Sequence, residues 1–221
     1  MLTPSVPAPF PLAWGFSTKE DPAGPFPLLS LPRQVHGTEV HEAEGELPEG
    51  DGLWTMRPRC RIGVRTADCV PVLLAGRIGG EPWVAALHAG WRSAVGGDGT
   101  GDAPGILRVC VALFRELGGQ PEELTWALGP SIQKCHFEVG EEVIQAAAKD
   151  PAWTSDLRSM GRRGRPHLDL QGFLRRQARH LGLDEGKDGS IDRCTVCETD
   201  LLWSYRRDDY DEHLWGWIEI L

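Results

Sequence analysis

Three side chains able to hold a metal ion, His36, Cys69 and His88, stand where short apolar stretches give way to turns. One thiolate and two imidazoles, with a fourth position left for water, have the composition of a catalytic zinc site; structural sites normally close with four protein ligands. The spacing is not that of a zinc finger. Taken alone, His88 also reads as a core histidine satisfied by a backbone carbonyl.

The elements that must position these groups are short strands. Trp83 to Leu87 is a continuous apolar run bounded by Glu81-Pro82 and by Gly90, the pattern of a buried strand, which sets His88 at a strand end. A strand fixes such a side chain while the loop beyond leaves room beside it. Cys60 to Thr66 reads as a strand running into Ala67-Asp68-Cys69, with a second apolar run from Val70 to Ala75. The stretch from Leu31 to Thr38 places His36 just before a glycine turn.

Six motifs carry a resemblance that runs from about Phe10 to the end of the chain. Gln34-Val35-His36-Gly37, Thr66-Ala67-Asp68-Cys69-Val70-Pro71-Val72, Leu87-His88-Ala89-Gly90-Trp91-Arg92, Leu128-Gly129-Pro130-Ser131-Ile132, Phe137-Glu138-Val139-Gly140 and Ser204-Tyr205-Arg206-Arg207-Asp208 follow one another in order. Together they resemble the laccase-domain (YfiH-like) family, described both as multicopper polyphenol oxidases and as purine nucleoside phosphorylases with adenosine deaminase activity. The resemblance implies a metal held by His36, Cys69 and His88, zinc with copper as the alternative, and a purine nucleoside and phosphate as partners. Lys19-Glu20-Asp21-Pro22 stands where that family carries an arginine and a glycine pair, so no anion site is expected in this loop.

Size and charge narrow the class. The 221 residues carry no Ser/Gly/Pro-rich linker, which predicts a proline-rich segment over residues 1–12 and a single domain over 13–221. No run approaches the roughly 18 apolar residues of a membrane span, and the N-terminus lacks the basic start and cleavage site of a signal peptide, so a cytoplasmic protein is expected. A net charge of −9 argues against nucleic-acid binding, which needs a concentrated basic face. Arg162-Arg163-Gly164-Arg165 is read as a solvated loop. Six cysteines in such a chain fit reduced thiols or metal ligands better than a disulfide framework.

Elsewhere, Ala13 to Lys19 reads as an edge strand, and Glu49-Gly50-Asp51-Gly52 as a turn, of which Asp51-Gly52 also resembles the family's pattern before its next strand. The glycine-rich loop over residues 96–101 reads as plain loop, because it lacks a phosphate-loop lysine. A helix is predicted after an Asp102 cap, with Pro104 in its first turn and Ile106, Val109, Cys110, Leu113, Phe114 and Leu117 on one face, Cys110 in the core. A second helix is predicted over Val139–Ala148 and a third from Leu170, stopped by Gly182. Leu124–Leu128, Trp203–Asp208 and Leu214–Leu221 are predicted strands. Cys135 and His136 are read as site wall, since adjacent residues seldom reach one ion comfortably. Cys194-Thr195-Val196-Cys197 has CxxC spacing, but the sequence shows no second such pair to complete a zinc site.

These elements predict an α/β (α+β) fold, with mixed sheet layers flanked by helices, over an all-β cupredoxin. True multicopper oxidases also use paired His-x-His ligands, absent among the seven histidines. Within the site implied by the resemblance, Asp68 is the nearest carboxylate, able to shuttle a proton or to orient a ligand histidine. Arg92 suits a phosphate contact, because a guanidinium matches phosphate bidentately. Gln34 could hydrogen-bond the base or ribose.

Overall fold

The computed structural model describes residues 1–21, 29–31 and 33–221, so Pro22 and Pro32 of the stretches quoted above lie outside the described residues. In chain order the elements are β1 (Leu12–Phe16), β2 (Leu29–Ser30), β3 (Val40–Glu42), β4 (Gly52–Thr55), β5 (Ile62–Thr66), β6 (Val70–Ile78) and β7 (Glu81–Ala89). They continue with α1 (Trp91–Ala94), α2 (Ile106–Glu116), β8 (Thr125–Leu128), α3 (Glu141–Ala147), β9 (Arg158–Met160), β10 (Pro166–Leu168), α4 (Leu170–His180) and β11 (Leu214–Ile220).

One sheet runs β1-β11-β5-β2 and a second β3-β4-β7-β6-β8, while β9 and β10 form a hairpin. The second sheet is the middle layer. Along β6 and β7 alternate side chains serve its two faces: Leu73, Ala75, Val84 and Ala86 pack with Ile62, Val64 and Ile218 of the first sheet. Val72, Leu74, Trp83, Ala85 and Leu87 pack beneath Phe114 of α2 and Phe173 and Leu174 of α4. Burial on both faces is why these strands read as unbroken apolar runs. The expected mixed α+β architecture is thus present, and Cys110 lies in the helix-side core.

Several expectations are corrected. The first long helix starts at Ile106 with Gly105 as N-cap; Asp102 instead pairs with Lys149 at 2.8 Å and caps nothing. Val139 precedes the second helix because its N–H donates to the Pro166 carbonyl. The Trp203–Asp208 stretch is not a strand. It contains a 3-10 turn over Tyr205–Arg207, fixed by Arg207 donating to the Asp209 carboxylate and to the Leu202 and Thr195 carbonyls. The third helix begins at Leu170 as expected, capped by Asp169, which accepts from the Gly172 N–H. Trp215 and Trp217 lie under the guanidinium groups of Arg65 and Arg61, a packing role. Among the described residues no helix is long and apolar enough to cross a membrane.

Candidate metal centre

The register of the middle sheet builds the site. Gly52 pairs with Leu87 and Val70 with Ala89. One step further along each ladder, Asp51 lies across from His88 and Cys69 across from Gly90. His36 comes from the segment before β3, in the left-handed region at φ 60°. That turn is pinned by the buried Asp51 carboxylate, which accepts from the backbone N–H groups of Val35, His36 and Gly37 at 3.1, 3.0 and 2.7 Å.

The three expected ligands converge. His36 Nε2 lies 3.7 Å from Cys69 Sγ, the two imidazole centroids are 4.7 Å apart, and one donor atom from each residue falls within 4.8 Å of the others. Zinc–sulfur and zinc–nitrogen bonds of ordinary length span an N···S edge of about 3.6 Å in a tetrahedron, so the donors fit one ion with a position left over. His88 is buried, and its Nδ1 lies 2.7 Å from Asp51 Oδ1. An ionised carboxylate only accepts, so Nδ1 carries the hydrogen and Nε2 is left as the ligand atom.

The charges favour a cation. Burial pushes the Cys69 thiol up, but the imidazolium of His88 and the hydrogen bonds from both histidines outweigh it and bring the thiol down to about 6. Burial likewise opposes charge on His88, yet the Cys69 thiolate and Asp51 raise it to about 9. Asp51 is held below the ordinary carboxylate range: burial opposes this, and His88 with the Gly37 and Val35 N–H groups prevails. Without metal, Cys69 is therefore a thiolate paired with the His88 imidazolium at neutral pH, and an ion bound there would displace the Nε2 proton of His88.

Gly90 is required by close approach. A Cβ there would meet His36 Cδ2 at 2.7 Å and Cys69 Sγ at 3.1 Å. Because the nearer atom belongs to an exposed ring, the ligand gives way before the core does. Gly90→Ala is expected to weaken metal binding by roughly tenfold or more, the scale on which displaced ligands are felt, while leaving the melting temperature of the metal-free protein nearly unchanged. Chelator competition and calorimetry check both; an unaltered affinity would count against convergence of these donors on one ion.

The centre opens into a cleft of about 650 Å³ that all six sequence-selected residues line. Their side chains are differently occupied. The Gln34 amide clamps the Arg65 backbone, donating to its carbonyl at 2.7 Å and accepting from its N–H at 2.8 Å, and so ties the His36 segment to β5. Asp68, at φ 87°, accepts from Thr195 Oγ1 and from the Arg206 N–H. The carboxylate bonded to His88 is Asp51, not Asp68, which corrects one of the two roles considered for Asp68. Arg92 is exposed, its guanidinium 4.5 Å over the Trp91 ring. Sequence reading missed the part played by Asp51, whose signal was its position across the ladder from a strand-end histidine, and the aromatic wall of Phe137, Tyr205 and Tyr210. Cys135 and His136 are not part of this wall; they line a separate surface cleft.

Known proteins share this arrangement of sequence and fold. A family model described as multi-copper polyphenol oxidoreductase laccase matches residues 24–216. The purine nucleoside phosphorylase YfiH of Shigella flexneri is 36% identical over 179 residues, covering 79% of this chain and 67% of its own length. Adenosine deaminase RL5, from an unknown prokaryotic organism, is 31% identical over 195 residues, covering 81% of this chain and 70% of its own. The crystal structure of the Bacillus licheniformis hypothetical protein YfiH is similar with a TM-score of 0.77 at 25% identity, over 88% of this chain and 74% of that one.

Proposed function

We propose, from the premise that the chain belongs to the multi-copper polyphenol oxidoreductase laccase family, that it is a zinc-dependent purine nucleoside phosphorylase. It would cleave adenosine, inosine or related nucleosides with phosphate to free base and ribose 1-phosphate, with adenosine deamination as a side activity. The observation that carries this reading is the convergence of His36, Cys69 and His88, an incomplete donor set, at a cleft of nucleoside size rimmed by arginine and aromatic side chains. The names of the relatives in Shigella flexneri and from the unknown prokaryote point to the same pair of reactions.

A metal held by His36, Cys69 and His88 would supply Lewis-acid polarisation of a substrate oxygen. The chain's own groups do the rest. Asp51 fixes the tautomer of His88 and the His36 turn together. Trp91, Phe137 and Tyr205 offer aromatic faces to a purine. Arg92, steadied over Trp91, receives the phosphate. Asp68 keeps lone pairs beyond those taken by Thr195 and Arg206; as the phosphate oxygen bonds to C1′ and the glycosidic bond breaks, it accepts the proton of the attacking phosphate and returns it to the departing purine nitrogen. Gln34 acts through Arg65, holding the loop that carries His36. None of the six cysteines is in a disulfide, which fits work in the reducing cytoplasm.

The test is incubation of the purified protein under nitrogen with adenosine and phosphate, with products resolved by chromatography. Adenine with ribose 1-phosphate, or inosine, is the expected outcome. Arg92→Ala should raise KM for phosphate by about 10- to 100-fold, the worth of one or two charge-assisted hydrogen bonds, with KM for the nucleoside little changed. The family description keeps a second reading open, because Cu(II) outcompetes zinc at nitrogen and sulfur donors. Absence of nucleoside products, with phenol oxidation once air and copper are admitted, would replace the first reading by the second.

A further inference from the structure

A second cluster of ligands lies outside the cleft. Cys135 and His136 follow β8, and Cys194 and Cys197 lie in the irregular chain between α4 and β11. The two segments are laced together by a parallel bridge between Ser131 and Cys194, with the Ser131 N–H donating to the Arg193 carbonyl and the Thr195 N–H to the Ser131 carbonyl, each at 3.1 Å. The Glu198 N–H closes the CxxC turn onto the Cys194 carbonyl at 3.0 Å.

Five of the six donor distances are close to the edges of a tetrahedron, and the sixth, between the sulfurs of Cys194 and Cys197, is within 4.8 Å. Cys135 Sγ lies 3.7 Å from Cys194 Sγ and 3.8 Å from Cys197 Sγ. His136 Nδ1 lies 3.2, 3.4 and 3.7 Å from the sulfurs of Cys135, Cys197 and Cys194. Zinc–sulfur bonds of about 2.3 Å and zinc–nitrogen bonds of about 2.0 Å require S···S edges of about 3.8 Å and S···N edges of about 3.5 Å. A disulfide would need about 2.05 Å. Adjacent Cys135 and His136 reach one point because the near ring nitrogen, Nδ1, is the one turned toward the sulfurs.

We infer that Cys135, His136, Cys194 and Cys197 form a second, closed zinc site whose role is structural. Four protein donors leave no open position, unlike the three in the cleft. The site clasps the segment after β8 to the segment before β11, and from there it braces the cleft wall without entering it. Thr195, inside the CxxC turn, donates to Asp68. Arg207 donates to the carbonyls of Thr195 and Val196, and Arg206 to the carbonyls of His136 and Glu138.

Metal content tests this directly. Protein purified under reducing conditions should contain two zinc ions per chain by native mass spectrometry and elemental analysis. Cys197→Ser and His136→Ala, both at exposed ligands, should each leave one, as should His88→Ala; Cys197→Ser combined with His88→Ala should leave none. After cobalt(II) exchange, Cys197→Ser should lose most of the near-ultraviolet thiolate-to-cobalt absorption, since three of the four metal-bound thiolates belong to this site. One ion per chain that survives Cys197→Ser and leaves with His88→Ala would overturn the inference, and so would a Cys135–Cys194 disulfide in reduced protein. Because the readout is bound metal and not turnover, the result stands whichever way the nucleoside assay falls.

Discussion

His88→Ala is expected to empty the cleft of its metal and to lower phosphorolysis by more than about 100-fold. Groups one shell removed from a metal typically cost 10- to 100-fold, so loss of a ligand should exceed that. The substitution has a second consequence that must be separated from the first. His88 and Asp51 are buried together, and breaking a buried pair typically costs about 3–5 kcal/mol, here offset in part by the three backbone N–H groups that Asp51 retains. His36→Ala is the companion variant, because its ring is exposed and makes no side-chain bond to Asp51. Both variants should lose metal and activity, and only His88→Ala should also melt markedly lower in the metal-free state. Full metal content and turnover in His36→Ala would break the three-ligand reading.

What made the triad readable in advance was residue type at strand ends. His88 follows an apolar run that turned out to be buried on both faces, and Cys69 precedes another, so each had to emerge where its strand stopped. Asp51 was visible only as part of a turn between glycines. Its partnership with His88 depends on β4 pairing with β7 in one register, a fact of tertiary structure that no local pattern carries. The CxxC turn lacked a visible partner for the same reason. Its complement lies 59 residues away from Cys194 and is brought over by the Ser131 bridge. Trp203 to Asp208 shows the opposite failure: its composition suits a strand, but Arg207 and Asp209 bend it into a short turn through bonds to neighbouring segments. Fold class survived because it rests on the order of many strands and helices, whereas a site rests on a few contacts between distant positions.

Asp51 also joins His36 and His88 energetically, which sets the effect expected for Asp51→Asn. Each carboxylate oxygen accepts two hydrogen bonds: Oδ1 from His88 Nδ1 and the His36 N–H, Oδ2 from the Val35 and Gly37 N–H groups. An asparagine of the same shape must turn its NH₂ toward one of these pairs, setting donors against donors whichever way it flips. Leaving a buried donor unpaired costs about 1–3 kcal/mol, so two such donors should lower the stability of the metal-free protein by at least about 2 kcal/mol. Metal affinity should fall by about 10- to 100-fold. One orientation spoils the His88 tautomer and the other loosens the His36 turn, so either way a ligand is lost from its place. Denaturant unfolding of the metal-free chain and chelator competition measure the two effects separately. An asparagine variant with wild-type affinity and midpoint would show that His88 and the His36 turn are positioned without this carboxylate.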